Sequence, residues 1–454
     1  MFGVKVVTAA AAAVLVMACA GPTPALADTI EAALVRAYQS NPQLNAQRAL
    51  VRATDEGVPQ ALSGYRPKVN LQASGGVQYQ DGQVAPGTAA AHGLLRPRSV
   101  GLTVNQTLYN GQQTANGVRK AEASVSGQRE ALRVLEQSVL LQAATIYMDY
   151  LRDAAIVEVQ RSNTRVLEQT LKQTRDRFNV GEVTRTDVAQ SEAQLAAGRT
   201  QQLTAESNLT ATRSNFRRII GNDPENLAPG SPVDRYLPPS LQQSIETALT
   251  ESPSVTSAMY GIDVQYLQVK INEGALLPTV TVQASATQAY ESQLTSYRSF
   301  SAGAAAQLTV PIYQGGGEYA LIRQSKETLA QQRLALEQTR DQVRSDVVSA
   351  WGKLLAGKAQ VAASEIALNG VREEAKAGQR TTLDVLNAQQ ALVNARNSLV
   401  NAQHDRVVAS YTVLQTVGRL SPQVLRLPTT TYDPTVHYQQ IRDSWAGVRT
   451  PDGR

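Results

Sequence analysis

The apolar positions of this chain follow two periods, and each period appears twice. From Asp28 to about Ser63, Ile30, Ala33, Leu34 and Tyr38 recur at helical spacing, and Asn41-Pro42 punctuates and restarts the helix. From Pro67 the period drops to two, through Val69, Leu71, Ala73, Val77 and Tyr79. After a Gly/Pro/Ala-rich loop from about Asp81 to Pro97, the alternation returns in Val100, Leu102, Val104 and Leu108. Each run is about ten residues, the length of a tilted strand that crosses a bilayer. The alternate positions carry Asn70, Gln72, Gln78, Thr103 and Asn105. These suit a wet lumen and the wet surface of an ordinary soluble hairpin equally, so the strands alone leave both open.

Tyr109-Asn110-Gly111 ends the second strand, and a helix is expected from about Gln112 to Phe178, with Leu132, Leu135, Val139, Ile146 and Tyr150 at coiled-coil spacing. At 1.5 Å per residue it would run about 100 Å and needs a partner of similar length. A turn at Gly181 sends the chain back through Thr186 to Ile220, where Gly221-Asn222-Asp223-Pro224 stops it. The same succession then repeats. Ser252-Pro253 answers Asn41-Pro42, and Val280, Val282, Ala284 and Ala286 form a strand. Ala304, Ala306, Leu308, Val310 and Ile312 form the next, a long helix leads to Ala377, and a return helix runs from about Leu383 to Val417. The sequence therefore divides into a leader at 1–27, a first copy at 28–238, a second at 239–420 and a Pro- and Thr-containing strap or tail at 421–454.

Composition adds exclusions. Net charge is +5, spread as mixed signs with no run of five like charges, so no nucleic-acid footprint is present. Met1 to Ala27 joins Lys5, an apolar run from about Val6 to Ala20 and Ala25-Leu26-Ala27, the pattern of a cleaved secretory signal. Cys19, the only cysteine, lies inside it beside a poor lipidation match, which leaves the mature chain without a disulfide. No later apolar run reaches 18 residues, so membrane contact must come through strands. No cofactor or metal is expected: His92, His404 and His437 lack partners at ligand spacing and read as solvated surface. Gly315-Gly316-Gly317 lacks the Lys-Ser/Thr of a phosphate loop, Ser63 lacks a nucleophile context, and Trp351 reads as packing. These signals do not describe an enzyme.

Four strands cannot close a membrane sheet, and open edges are forbidden in hydrocarbon, so strands that enter a membrane require several chains to share one barrel. Residues Arg177 to Val188 read RFNVGEVTRTDV and Lys376 to Val385 read KAGQRTTLDV, with Gly181 and Gly378 each followed six positions on by Asp-Val. With PIYQGG at Pro311 to Gly316 and GQRTTLDVLNAQQAL at Gly378 to Leu392, these stretches resemble the TolC family of outer-membrane efflux and secretion proteins, over nearly all of the chain but its tail. The resemblance implies a mainly α protein with membrane β. It would form a homotrimeric α-barrel joined to a shared twelve-stranded β-barrel, four strands per chain. It would sit in outer-membrane lipid with a periplasmic tunnel and serve as the passive exit duct of an efflux pump or type I secretion system. Its partners would be a periplasmic adaptor and an inner-membrane transporter. A periplasmic coiled-coil adaptor without a barrel is the alternative, disfavoured because two strand pairs and two hairpins repeat in register.

By the same resemblance Arg380 matches the family's gate arginine, Thr186 and Asp187 its partners, and Asp384 an aspartate that rings the constriction and attracts cations. The chain departs from the family pattern at Ala375, which replaces a gate tyrosine, at Asp176, which replaces a glutamine, and at Asn387, which replaces a second ring aspartate. Gly181 and Gly378 mark the adaptor-docking turns. The residues alone also allow a plain reading, in which the glycines are turn residues and Asp187 and Asp384 are helix N-caps.

Overall fold

The computed structural model describes residues 28–83, 90–292, 296–376, 382–451 and 453. The leader expected at 1–27 lies outside them. Thr29 caps α1 (Ile30–Ser40), and Asn41 accepts from the backbone N–H groups of Gln43 and Leu44 to open α2 (Pro42–Asp55), whose first residue is the proline. A short α3 (Gly57–Leu62) leads into β1 (Lys68–Gly75). Then come β2 (Gln78–Gln83), β3 (Ala90–Leu95), β4 (Arg98–Asn110), α4 (Gln113–Asn179) and α5 (Arg185–Ile220). The elements recur as α6 (Leu241–Glu251), α7 (Pro253–Gly274), β5 (Thr279–Tyr290), β6 (Arg298–Thr309), α8 (Gly317–Lys376) and α9 (Thr382–Thr416), followed by α10 (Thr435–Ile441).

The stretch expected to be an irregular loop between Asp81 and Pro97 instead contains most of a strand pair, β2 with β3, from Gln78↔Leu95 to Gln83↔Ala90. Its Gly/Ala/Gln composition hides it, since the pairing is backbone to backbone and Gly82 and Gly93 take positive φ inside it. The main sheet is antiparallel in the order β1-β4-β5-β6. Its two copies are joined through β4 and β5, and β1 and β6 are its edges.

Where strand passes to helix, Gly111 (φ 63°) is required. A Cβ there would lie 2.1 Å from the carbonyl oxygen of Gly274, the last residue of α7, so the two copies touch backbone to backbone. Packing then follows the helical stripes. One core gathers Leu34, Leu44, Val139, Leu140, Tyr147, Phe216, Tyr411 and Leu414, and a second gathers Val255, Val343, Val347, Leu354 and Val413, with Trp351 packed against it. No helix among the described residues is long and apolar enough to cross a membrane.

The tail is a strap rather than a loose end. Leu425 and Leu427 are buried in the first core, and Arg66 stacks on Trp445 at 4.6 Å while donating to the Ser444 carbonyl at 2.6 Å. His437, read from sequence as solvated, is buried with its Nδ1 3.1 Å from Oδ2 of the wholly buried Asp55. His404 is buried too, with Nε2 2.9 Å from Asp149 and Nδ1 2.8 Å from Asp405, which ties α9 to α4. Both histidines are buried for one reason: Asp55 and Asp149 are far from them in the chain and come close only when helices pack. The side chain of His92 lies outside the described residues.

Candidate functional site

Two regions carry the chemistry, one at each end of the long helices. In the sheet, the register stacks Val69, Val104, Ala284 and Ala304 in one row and Leu71, Leu102, Ala286 and Ala302 in the next. A register shift at Leu108 brings Tyr109 opposite Val280 on this same face. Among the described residues no helix buries this face: Leu71 is 72% exposed, Leu108 63% and Leu308 64%. The opposite face carries Asn70, Gln72, Thr103, Asn105, Gln283, Ser285, Thr287, Ser301 and Gln307. A soluble hairpin would turn its apolar face onto helices. Here the apolar face is bare and the polar face is uncharged apart from Lys68, the arrangement of a barrel with lipid outside and water inside.

The far end is built from the hairpin turns. At the first, Gly181 (φ 82°) follows the last turn of α4, with its N–H donating to Phe178 at 3.0 Å and that of Glu182 to Arg177 at 2.9 Å. This is a Schellman stop, and it needs the glycine because its φ is left-handed. The return helix opens on a capping box. Thr184 Oγ1 accepts from the backbone N–H of Asp187, while Asp187 Oδ2 accepts from the Thr184 N–H at 2.8 Å and its hydroxyl at 2.7 Å. Thr184 is therefore the N-cap, and Asp187, expected to fill that place, sits three residues in and reaches back. Those two donors hold the Asp187 carboxyl below its ordinary range. Thr186 is exposed beside it, and Asp176 lines the groove between α4 and α5 with Lys172, Arg175 and Glu192.

Sequence reasoning missed an ion-pair ladder up this hairpin. Arg175 meets Glu192 at 2.5 Å, Glu168 meets Arg199 at 2.8 Å and Arg161 meets Glu206 at 2.9 Å. The signal was available: opposite charges stand every seven residues on both helices, counted outward from one turn. Between the rungs Leu167, Leu171 and Leu195 bury Leu386 of α9, and Gln389 donates to Asn163 at 3.2 Å. The second hairpin thus rests on the first. Asn387 is exposed one residue beyond Leu386. Gly378 and Arg380 lie outside the described residues, as does the side chain of Asp384 in the first turn of α9. The structure therefore brings none of the expected gate pairs together in view. Among the described residues, no group of three His, Cys, Asp or Glu side chains is placed to hold a metal ion.

Comparison with known proteins meets this geometry. The profile of the family described as "Outer membrane efflux protein" matches residues 33–222 and 244–419. The chain is 39% identical over 438 residues to the outer membrane efflux protein BepC of Brucella suis, covering 95% of this chain and 94% of that one. It is 26% identical to the outer membrane protein TolC of Vibrio cholerae, covering 86% and 90%. Its fold matches the Campylobacter jejuni CmeC outer membrane channel with a TM-score of 0.72 at 15% identity, covering 91% of this chain and 89% of that one. These relatives are channels rather than enzymes or coiled-coil adaptors. With a bare apolar sheet at one end and long helical hairpins at the other, the chain belongs to the outer membrane efflux protein family and is an exit duct of the outer membrane, its helices in the periplasm.

Proposed function

We propose that three copies close one twelve-stranded barrel and that the duct opens and shuts at the hairpin turns. The observation that carries this reading is the open four-stranded sheet. Its apolar face calls for lipid, yet β1 and β6 leave unpaired edges whose backbone groups cost several kcal/mol each in hydrocarbon. Further copies of the same sheet satisfy both demands at once.

At the entrance, Arg380, Thr186 and Asp187 form the reversible contacts between hairpins, with Asp176 and Asn387 flanking them, and Asp384 supplies a ring that concentrates cations. The charged groove of Lys172, Arg175, Asp176 and Glu192 suits a periplasmic adaptor docking beside the Gly181 and Gly378 turns, and an inner-membrane transporter provides the energy. The 39% identity to an outer membrane efflux protein supports a role in efflux.

The test is single-channel conductance of the detergent-purified chain in a planar bilayer, with native mass measured on the same sample. The expected result is a trimeric mass and a small, cation-selective conductance that divalent cations block and Asp384→Ala unblocks. Arg380→Ala and Asp187→Ala are expected to enlarge it. A monomer without conductance would overturn the barrel, and unchanged conductance in both variants would overturn the gate.

A further inference from the structure

We propose that the outer rim of the sheet is a binding site for the phosphate-bearing headgroup of outer-leaflet lipid, built on Arg98, Tyr290 and Arg298. The strands β1, β4, β5 and β6 contain three charged residues in all, Lys68, Arg98 and Arg298. Lys68 shares the polar face with Asn70 and Gln72. The two arginines are different. Register places Gly75, Arg98, Tyr290 and Arg298 side by side in one row, on the same face as Val100, Leu102 and Phe300. Two cations therefore stand on the side that faces lipid, at the end of the sheet farthest from the helices.

Their depth fits a headgroup. Ten residues separate Arg98 from Leu108, and at about 3.3 Å per residue and a tilt of about 40° that span is about 25 Å, the height of an outer-membrane apolar band. The arginines stand where hydrocarbon ends and anionic headgroups begin. Charge complementarity then names the occupant. Neither guanidinium has an ion pair or side-chain hydrogen bond among the described residues, and no acidic residue lies in the four strands. Glu291, the nearest carboxylate along the chain, accepts from the backbone N–H of Arg96. Arg298 stacks on the Tyr290 ring at 5.3 Å, which steadies one cation. The two arginines are two strand spacings apart, about 10 Å, the reach of a diphosphorylated glycolipid head. Beside Arg98 a hollow of about 380 Å³, bounded by Ala73, Arg98, Val100, Gln288 and Tyr290 and not reached by Arg298, leaves room for the first part of an acyl chain or sugar.

The inference rests on the membrane-barrel reading, and its test separates the two. The full chain is placed in phosphatidylcholine nanodiscs and titrated with lipid A, with lipid A stripped of its phosphates, and with inorganic phosphate, and bound lipid is counted by native mass spectrometry. At about 1 kcal/mol per arginine the expected preference for the phosphorylated lipid is about 25-fold, falling about five-fold in Arg98→Gln or Arg298→Gln and vanishing in the double variant. The double Lys variant keeps most of it, and Arg323→Gln on α8 leaves it unchanged. Wild-type protein that takes both lipids equally while still conducting would overturn the site and leave the barrel standing. So would a double Gln variant that keeps the preference, or inorganic phosphate that binds as tightly as lipid A.

Discussion

The two helical hairpins have nearly the same length and the same turn spacing, yet they are fastened differently. Three ion pairs at seven-residue intervals lace α4 to α5. Between 317–372 of α8 and 386–416 of α9, no ion pair joins the helices directly. Gln389 and Gln403 occupy the positions that correspond to Glu192 and Glu206, so two rungs are missing their acid. Asp234, from the segment linking the copies, bridges instead, 3.2 Å from Lys358 and 3.2 Å from Arg406. Repetition of the apolar stripe therefore reproduces a shape, while the charged positions decide how independent each hairpin is. The second hairpin takes part of its support from the first, through Leu386, Gln389 and His404.

The most damaging way to break that dependence is Leu386→Ala. It empties a buried seat among Leu167, Leu171 and Leu195 and is expected to cost about 2 to 4 kcal/mol locally. Hydrogen exchange should quicken over 386–400 and leave α5 slow. Equal loosening of both hairpins would contradict the asymmetry.

A smaller effect, about 1.5 to 3 kcal/mol, is expected from His404→Gln, which removes charge-assisted bonds to Asp149 and Asp405. The same link gives a pH dependence. Burial pushes the His404 pKa down, but the two carboxylates outweigh it and the net shift is upward. A raised folded pKa means the link is complete below about pH 6.5 and is lost as pH rises through the folded value. Exchange in α9 should quicken on alkalinisation in the wild type and show no such step in the variant.

Thr184→Ala should cost about 1 kcal/mol at the start of α5, read as a lower melting temperature. The lowered Asp187 pKa makes this cap complete above about pH 4 and lost as pH falls through the folded value. The smallest change is expected from Glu168→Ala, about 0.2 to 1 kcal/mol, because the rung is exposed and salt screens it. A loss above 2 kcal/mol there would mean the ladder acts as one cooperative unit.

Much of this was legible in the sequence. Period two against period 3.6 located the four main strands and the four long helices, because amphipathic elements write their buried face into the spacing. Asn41-Pro42 and Gly181 were readable because capping and left-handed φ admit few residue types. The β2–β3 pair was not, since backbone pairing of Gly and Ala leaves no hydrophobic alternation. The burial of His404 and His437 was not either, because each meets a carboxylate 255 or 382 residues away and only packed helices bring them together. At the turns, residue type suggested Asp187 as the cap, but a threonine three residues earlier was equally able to fill the place and does.

The polar face of the sheet has an electrical consequence. Its Asn, Gln, Ser and Thr side chains make it wettable, yet Lys68, next to the helices, is the only ionised group each chain contributes there. Current through such a duct meets two resistors in series, a wide one with almost no fixed charge and whatever the turns impose at the other end. With the gate proposed above, a reversal potential recorded across the whole protein reports on the far end, some 100 Å of helix away from the lipid.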